Sequence, residues 1–94
     1  MAPVALTKEL EQKARVLALV GDPTRIRILK LLDKKTRVNV SDIALEISMN
    51  IACVSHHLQL MKDNGLVETE RNKNSIYYSI SDKPFVKNLI ALIK

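Results

Sequence analysis

The single cysteine of this 94-residue chain and both of its histidines fall within five positions, inside the stretch IACVSHHLQL (residues 51–60). By residue type Cys53, His56 and His57 are good ligands for zinc or copper, and an accessible thiol can also act as a redox sensor. Their spacing narrows the chemistry. On a helix Cys53 and His57 stand at i, i+4 and can meet one ion, whereas His56 points about 100° away from His57. Two ligands fall short of the three or four that a tight zinc site uses. No metal site and no cofactor are therefore expected. Cys53 is expected as a small half-buried hydrophobe and His57 as a packed ring with one satisfied nitrogen. A metal- or redox-responsive role for Cys53 and His57 is the alternative. Catalysis is not expected, because the pair lacks a third orienting group and the chain carries no Gly-rich phosphate loop or paired-carboxylate motif.

The elements that must position this stretch follow from the rest of the chain. Ninety-four residues suffice for one domain with one modest core, so residues 1–94 are taken as a single domain. Two glycines, three prolines and three aromatic residues (Tyr77, Tyr78, Phe85) leave an aliphatic core and a helical bias. A lone cysteine fits a reducing compartment. The opening residues are broken by Lys8, Glu9, Glu11, Lys13 and Arg15, so neither a signal peptide nor a membrane span is expected, and the location is expected to be cytoplasmic. The net charge of +5 suggests a polyanionic partner. It is unevenly spread: eight Lys/Arg against four Asp/Glu in residues 1–36, four against five in 37–80, and three against one in 81–94. Local geometry, more than net charge, has to locate any nucleic-acid surface.

Helical periodicity runs from about residue 4 to 20, with Leu6, Leu10, Ala14, Leu17 and Val20 on one stripe. Asp22 before Pro23 predicts a capped second helix with Ile26, Leu29, Leu31 and Leu32 inward. Asn39 and Asp42 open a short third helix that buries Ile43, Ala44 and Ile47. After the turn SMN, Asn50 caps a fourth helix reaching about Lys62, ended by Asn64-Gly65. The period then becomes two over LVETER and SIYYSIS, two strands joined by NKN, with Ile76, Tyr78 and Ile80 on one face. Asp82 is expected to cap a last helix whose Phe85, Val86, Leu89, Ile90, Leu92 and Ile93 are apolar nearly all round.

The expected fold is mainly α with a small β-hairpin: a winged helix-turn-helix of about five helices plus a two-stranded wing, with residues 40–62 as the helix-turn-helix and 66–81 as the wing. In order and spacing, ALVGDPTRIRILKLL, VSDIA, VSHHLQLMKDNGLVETER and IYYSI resemble the ArsR/SmtB family of winged-helix transcriptional repressors over roughly residues 15–80. The resemblance implies a homodimeric repressor on double-stranded DNA whose release an effector controls. The effector is not identified.

Helical geometry supports this reading independently. At about 100° per residue Val54, Leu58 and Met61 form an inward stripe, with Ala52, His56 and Gln59 opposite and Ser55 on the flank. Small and polar, that outward face suits base edges: Gln59 for adenine, Ser55 for bases or phosphate, Ala52 for a thymine methyl. Asn50 at the helix start completes the predicted set, and Arg71, Lys73 and Asn74 at the wing tip are expected on phosphates or in the minor groove. Arg25, Arg27, Lys34, Lys35 and Arg37 are second-rank phosphate candidates.

The family resemblance also supplies two metal sites to compare. Its Cys-x-Cys near the third helix falls here on Asn39, Val40 and Ser41. Its Asp-x-His on the last helix falls on Asp82 and Pro84, and the second histidine position lies past Lys94. The first has no thiolate and the second keeps only Asp82, so neither site is expected here. Two further departures occur where the resemblance implies a Ser-Gln-Ser-like segment and a glycine: Asn50-Ile51-Ala52 and Ser48 stand there.

Helices 4–20 and 82–94 would leave Leu6, Leu10, Leu17, Phe85, Leu89, Leu92 and Ile93 exposed unless a second copy covers them, which predicts a homodimer. Its two fourth helices would meet successive major grooves of a palindrome about 34–36 Å apart. A winged-helix module that binds protein in place of DNA is the rival from a different class, favoured by the near-neutral central region.

Overall fold

A computed structural model describes residues 4–94, so the first three residues of the predicted domain lie outside the described residues. The order is α1 (Lys8–Val20), α2 (Pro23–Lys35), β1 (Val38–Asn39), α3 (Val40–Glu46), α4 (Ile51–Asp63), β2 (Val67–Asn72), β3 (Ser75–Ile80) and α5 (Pro84–Ile93). This is the expected winged helix-turn-helix, with one strand more than the sequence suggested. The sheet is antiparallel in the order β1-β3-β2. Val38 pairs with Tyr78 and Asn39 with Tyr77, while β2 and β3 pair from Val67–Ile80 to Asn72–Ser75. Two residues are too few to display an alternation, which is why β1 is invisible to periodicity.

Side-chain caps fix most helix starts. Asp22 Oδ2 accepts the Arg25 N–H at 3.0 Å, Asn39 Oδ1 that of Asp42 at 2.8 Å, and Asn50 Oδ1 that of Cys53 at 3.0 Å. All three were legible as caps. Two other starts differ from expectation. α1 begins at Lys8 because the Thr7 hydroxyl accepts the Leu10 N–H at 3.1 Å, so Leu6 precedes the helix and is not part of it. α5 is not capped by Asp82. Pro84 takes the first helical position, which makes Lys83 the N-cap, and the Ser81 hydroxyl accepts the Lys83 N–H at 3.2 Å.

The core forms where α2, α3, α4 and α5 meet the base of the sheet. Ile28, Leu29 and Leu32 of α2, Ile43 of α3, Val54, Leu58 and Met61 of α4, and Leu66 are essentially inaccessible. Ile28 extends the stripe predicted for α2, whose Ile26 and Leu31 are only partly buried. In α1 the buried residues are Val16 and Val20, and Leu10 and Leu17 point to solvent. In α5 the apolar residues divide. Val86, Leu89 and Ile90 complete the protomer's own core, Phe85 and Ile93 lie half-buried against it, and Leu92 is 80% exposed. Leu89, expected at a dimer surface, is thereby corrected to an internal residue. A one-sided helix packed on α2 has to bury its central leucine first.

Candidate nucleic-acid interface

The two helices of the helix-turn-helix are joined by a left-handed turn. After α3 the Ser48 N–H donates to Leu45 O at 3.2 Å and the Met49 N–H to Ala44 O at 3.0 Å, with Ser48 at φ 56°. The end of α4 repeats this pair of bonds: the Gly65 N–H donates to Lys62 O at 3.0 Å and the Leu66 N–H to Met61 O at 2.9 Å, with Gly65 at φ 75°. Both are Schellman closures, one of which places a serine where a side chain is disfavoured. A third positive-φ residue, Thr36 (φ 72°, ψ −52°), ends α2 in a three-residue turn closed by the Arg37 N–H on Lys35 O at 2.8 Å.

α2 anchors this unit. Arg27 donates from Nη2 to Ile47 O, the C-cap of α3, at 2.6 Å. Arg25 Nε donates to Nδ1 of His57 at 3.1 Å, and its Nη1 donates to Leu19 O in α1 at 3.4 Å. The two guanidinium groups, placed by sequence among the second-rank phosphate candidates, are engaged within the protomer. Arg37 is similar: it lies 4.6 Å from the Tyr77 ring and 3.4 Å from the Glu70 carboxylate. Lys35 pairs with Glu46 at 3.1 Å, while Lys34 is exposed.

α4 divides as its periodicity predicted. Val54, Leu58 and Met61 are buried, and Asn50, Ala52, Ser55, His56 and Gln59 are exposed together along the other side. The Asn50 side-chain oxygen is spent on its cap. Gln59 Nε2 donates to Asp63 Oδ1 at 2.9 Å, leaving its carbonyl oxygen free. Arg71, Lys73 and Asn74 are exposed at the wing, where Lys73 and Asn74 form the two-residue loop between paired Asn72 and Ser75 and Lys73 takes φ 58°. On the inner side of the wing, burial raises the Tyr78 hydroxyl above its ordinary pKa of 10.0.

His57 is the half-buried ring expected, with Nδ1 satisfied by Arg25. Cys53 is not half-buried; it is exposed, because the first turn of α4 extends beyond the core. The two histidine rings are 6.5 Å apart and tilted. Among the described residues no group of three or more His, Cys, Asp or Glu can hold a metal ion. The guanidinium on His57 further disfavours a cation at the Cys53–His57 pair. Sequence reasoning missed the Arg25–His57 link, which joins residues 32 positions apart with no local signal. It noted Ile51 only as a departure from a pattern. That side chain is 50% exposed at the first position of α4.

The family model for bacterial regulatory proteins of the arsR family matches residues 22–69, from the cap of α2 into β2. The chain belongs to the arsR family. An uncharacterized HTH-type transcriptional regulator of Methanocaldococcus jannaschii is 33% identical over 92% of this chain and 96% of its own length. Among solved structures of similar fold, the homodimeric winged helix-turn-helix DNA-binding domain of a possible ArsR-family regulator from Mycobacterium bovis is 36% identical, with TM-score 0.81 over 99% of this chain and 86% of that one. The transcriptional repressor PagR of Bacillus anthracis is 31% identical, with TM-score 0.81 over 92% of this arsR-family chain and 97% of its own. No helix among the described residues is long and apolar enough to cross a membrane.

Proposed function

We propose that this chain is a sequence-specific transcriptional regulator that acts in the cytoplasm as a homodimeric repressor on a palindromic operator. The observation that carries the reading is the outward face of α4: Ala52, Ser55, His56 and Gln59 exposed in a row above a fully buried Val54-Leu58-Met61 stripe. A second helix of this motif docked in the major groove presents such a face to base edges. Arg71, Lys73 and Asn74 supply backbone contacts from the wing.

Exposed Leu6, Leu10, Leu17 and Leu92, with half-buried Phe85 and Ile93, are the residues offered to a second copy. The Mycobacterium bovis relative is described as homodimeric, and PagR as a repressor, which supports both parts of the proposal. Asn39, Val40 and Ser41 at the Cys-x-Cys positions and Pro84 at the histidine position support a regulator that does not use the metal sites the family resemblance implied.

The test is selection from random-sequence DNA with the purified dimer, repeated with zinc, copper, cadmium and an oxidant. Enrichment of one palindrome, unaffected by the metals, is expected. The exposed thiol of Cys53 defines the rival reading, a metal- or redox-responsive repressor. Release of DNA that disappears in Cys53→Ser would establish that rival.

A further inference from the structure

The first turn of α4 exposes three consecutive side chains, Ile51, Ala52 and Cys53, and none of them carries a hydroxyl, an amide or a charge. The polar residue before them, Asn50, has its side-chain oxygen on the Cys53 N–H at 3.0 Å. A run of three exposed apolar residues is a liability on a surface that has no use for it. Isoleucine at position 51 adds to the oddity, because its branched side chain is stiff and is a mediocre helix former. Both choices make sense if this turn meets something apolar that is absent from the protomer.

We infer that Ile51 and Ala52 read thymine, packing against its C5 methyl group in the major groove, so that each half-site places a thymine beneath the first turn of α4. The inference rests on the DNA-binding reading above and extends the thymine contact expected of Ala52 to Ile51, the larger side chain that would select the base. In a helix-turn-helix the N-terminal residues of the second helix lie nearest the base edges. The floor of the major groove offers one apolar feature, the thymine methyl. The other groups there are donors and acceptors, apart from the small C5–H of cytosine, which offers no methyl to cover. Pressed against Ile51, a donor or acceptor would lose water and gain no partner. The aliphatic turn therefore selects in two ways, by covering a methyl and by penalising the bases that lack one. Hydrogen-bonding readout begins one turn later, where Ser55 follows Ile51 at i+4 on the same side of the helix.

Replacing single thymines of the selected operator by 2′-deoxyuridine deletes the methyl and nothing else. One or two positions per half-site are expected to lose affinity about four-fold, and about fifteen-fold when both half-sites are changed, the effect of uncovering one buried methyl each time. In Ile51→Ala the deoxyuridine penalty at one of these positions should fall to near unity. The slope of affinity against salt should stay as in the wild type, since no phosphate contact has been removed. Because residue 51 is half exposed, the variant should melt as the parent does, and that measurement separates readout from misfolding.

The assignment is overturned if an operator is found and deoxyuridine is silent at every thymine, or if the penalty is the same in wild type and Ile51→Ala. A selection that enriches no sequence would instead remove the DNA-binding reading, and the thymine assignment with it.

Discussion

Two surfaces of this chain lie open to solvent, and they are built from opposite materials. The outer side of α4 is small and mostly polar, with Ala52, Ser55, His56 and Gln59 in line. The outer sides of α1 and α5 carry large aliphatic side chains among charged ones, with Leu10 and Leu17 on one helix and Leu92 on the other. Each helix buries an ordinary stripe beneath its open face: Val54, Leu58 and Met61 under the first, and Val16, Val20, Val86, Leu89 and Ile90 under the second. What differs is the partner each face can satisfy. Hydroxyl, imidazole and amide groups lose little in water and gain from a groove lined with donors and acceptors. Leucines gain only by leaving water. One molecule thus carries a face suited to nucleic acid and a face suited to its own copy.

The strongest way to break this comparison is to charge the aliphatic face. Leu17→Glu with Leu92→Glu should give a folded monomer by sedimentation and circular dichroism, and operator binding should weaken roughly 100-fold or more as the two half-sites become independent. A variant that stays dimeric would remove α1 and α5 from the interface.

A smaller effect is expected at the wing. Arg71→Ala should weaken binding to all sequences alike and lower the salt slope of the dimer by about 2, one phosphate contact per protomer. A change confined to one base position would assign Arg71 to base readout.

Ser48→Gly touches neither face. It relieves the left-handed serine at φ 56°, a conformation that costs an L residue about 1 kcal/mol, so the melting temperature should rise by about 4–8 °C with dimerisation and operator affinity unchanged. Altered affinity would show that the strain of the α3–α4 turn belongs to recognition.

The smallest effect is alkaline. Burial raises the Tyr78 pKa above 10.0, so the unfolded chain gives up that proton first. The contribution is complete below pH 10 and is lost as pH rises through the folded value. Tyr78→Phe should lose less stability than the parent between neutral and strongly alkaline pH. Parallel melting curves for the two would remove the phenol from the account.

How much of this the sequence revealed depended on whether the controlling interaction was local. Asp22, Asn39 and Asn50 each cap a helix three residues ahead, and a cap is visible wherever its residue type precedes a periodic run. The inward and outward faces of α4 followed from its period alone. Misjudged features turn on distant neighbours or on the exact position of a nearby residue. Leu89 looks available on a helical wheel until α5 is seen packed on α2. Cys53 looks packable until the core is seen to stop below the first turn. Asp82 looks like the cap of α5 until Pro84 is seen to take the first helical position, which makes Lys83 the N-cap. The contacts of Arg25 with His57 and of Arg27 with Ile47 join separate helices, and the charges that make them look identical in sequence to charges free for phosphate.

The two-residue strand β1 ties the wing to the helix-turn-helix. Val38 and Asn39 pair in register with Tyr78 and Tyr77 of the wing, and the same Asn39 caps α3. Wing and helix-turn-helix are therefore one frame, and a displacement at the hairpin reaches the base of α3 through Asn39 as well as through the direct packing of the wing strands on α3 and α4. Such a frame cannot adjust its two contacts separately on an ill-fitting operator. The misfit has to be taken up by bending of the DNA or by rotation of one protomer against the other, so operator changes beneath the wing and beneath α4 will not have independent energetic effects.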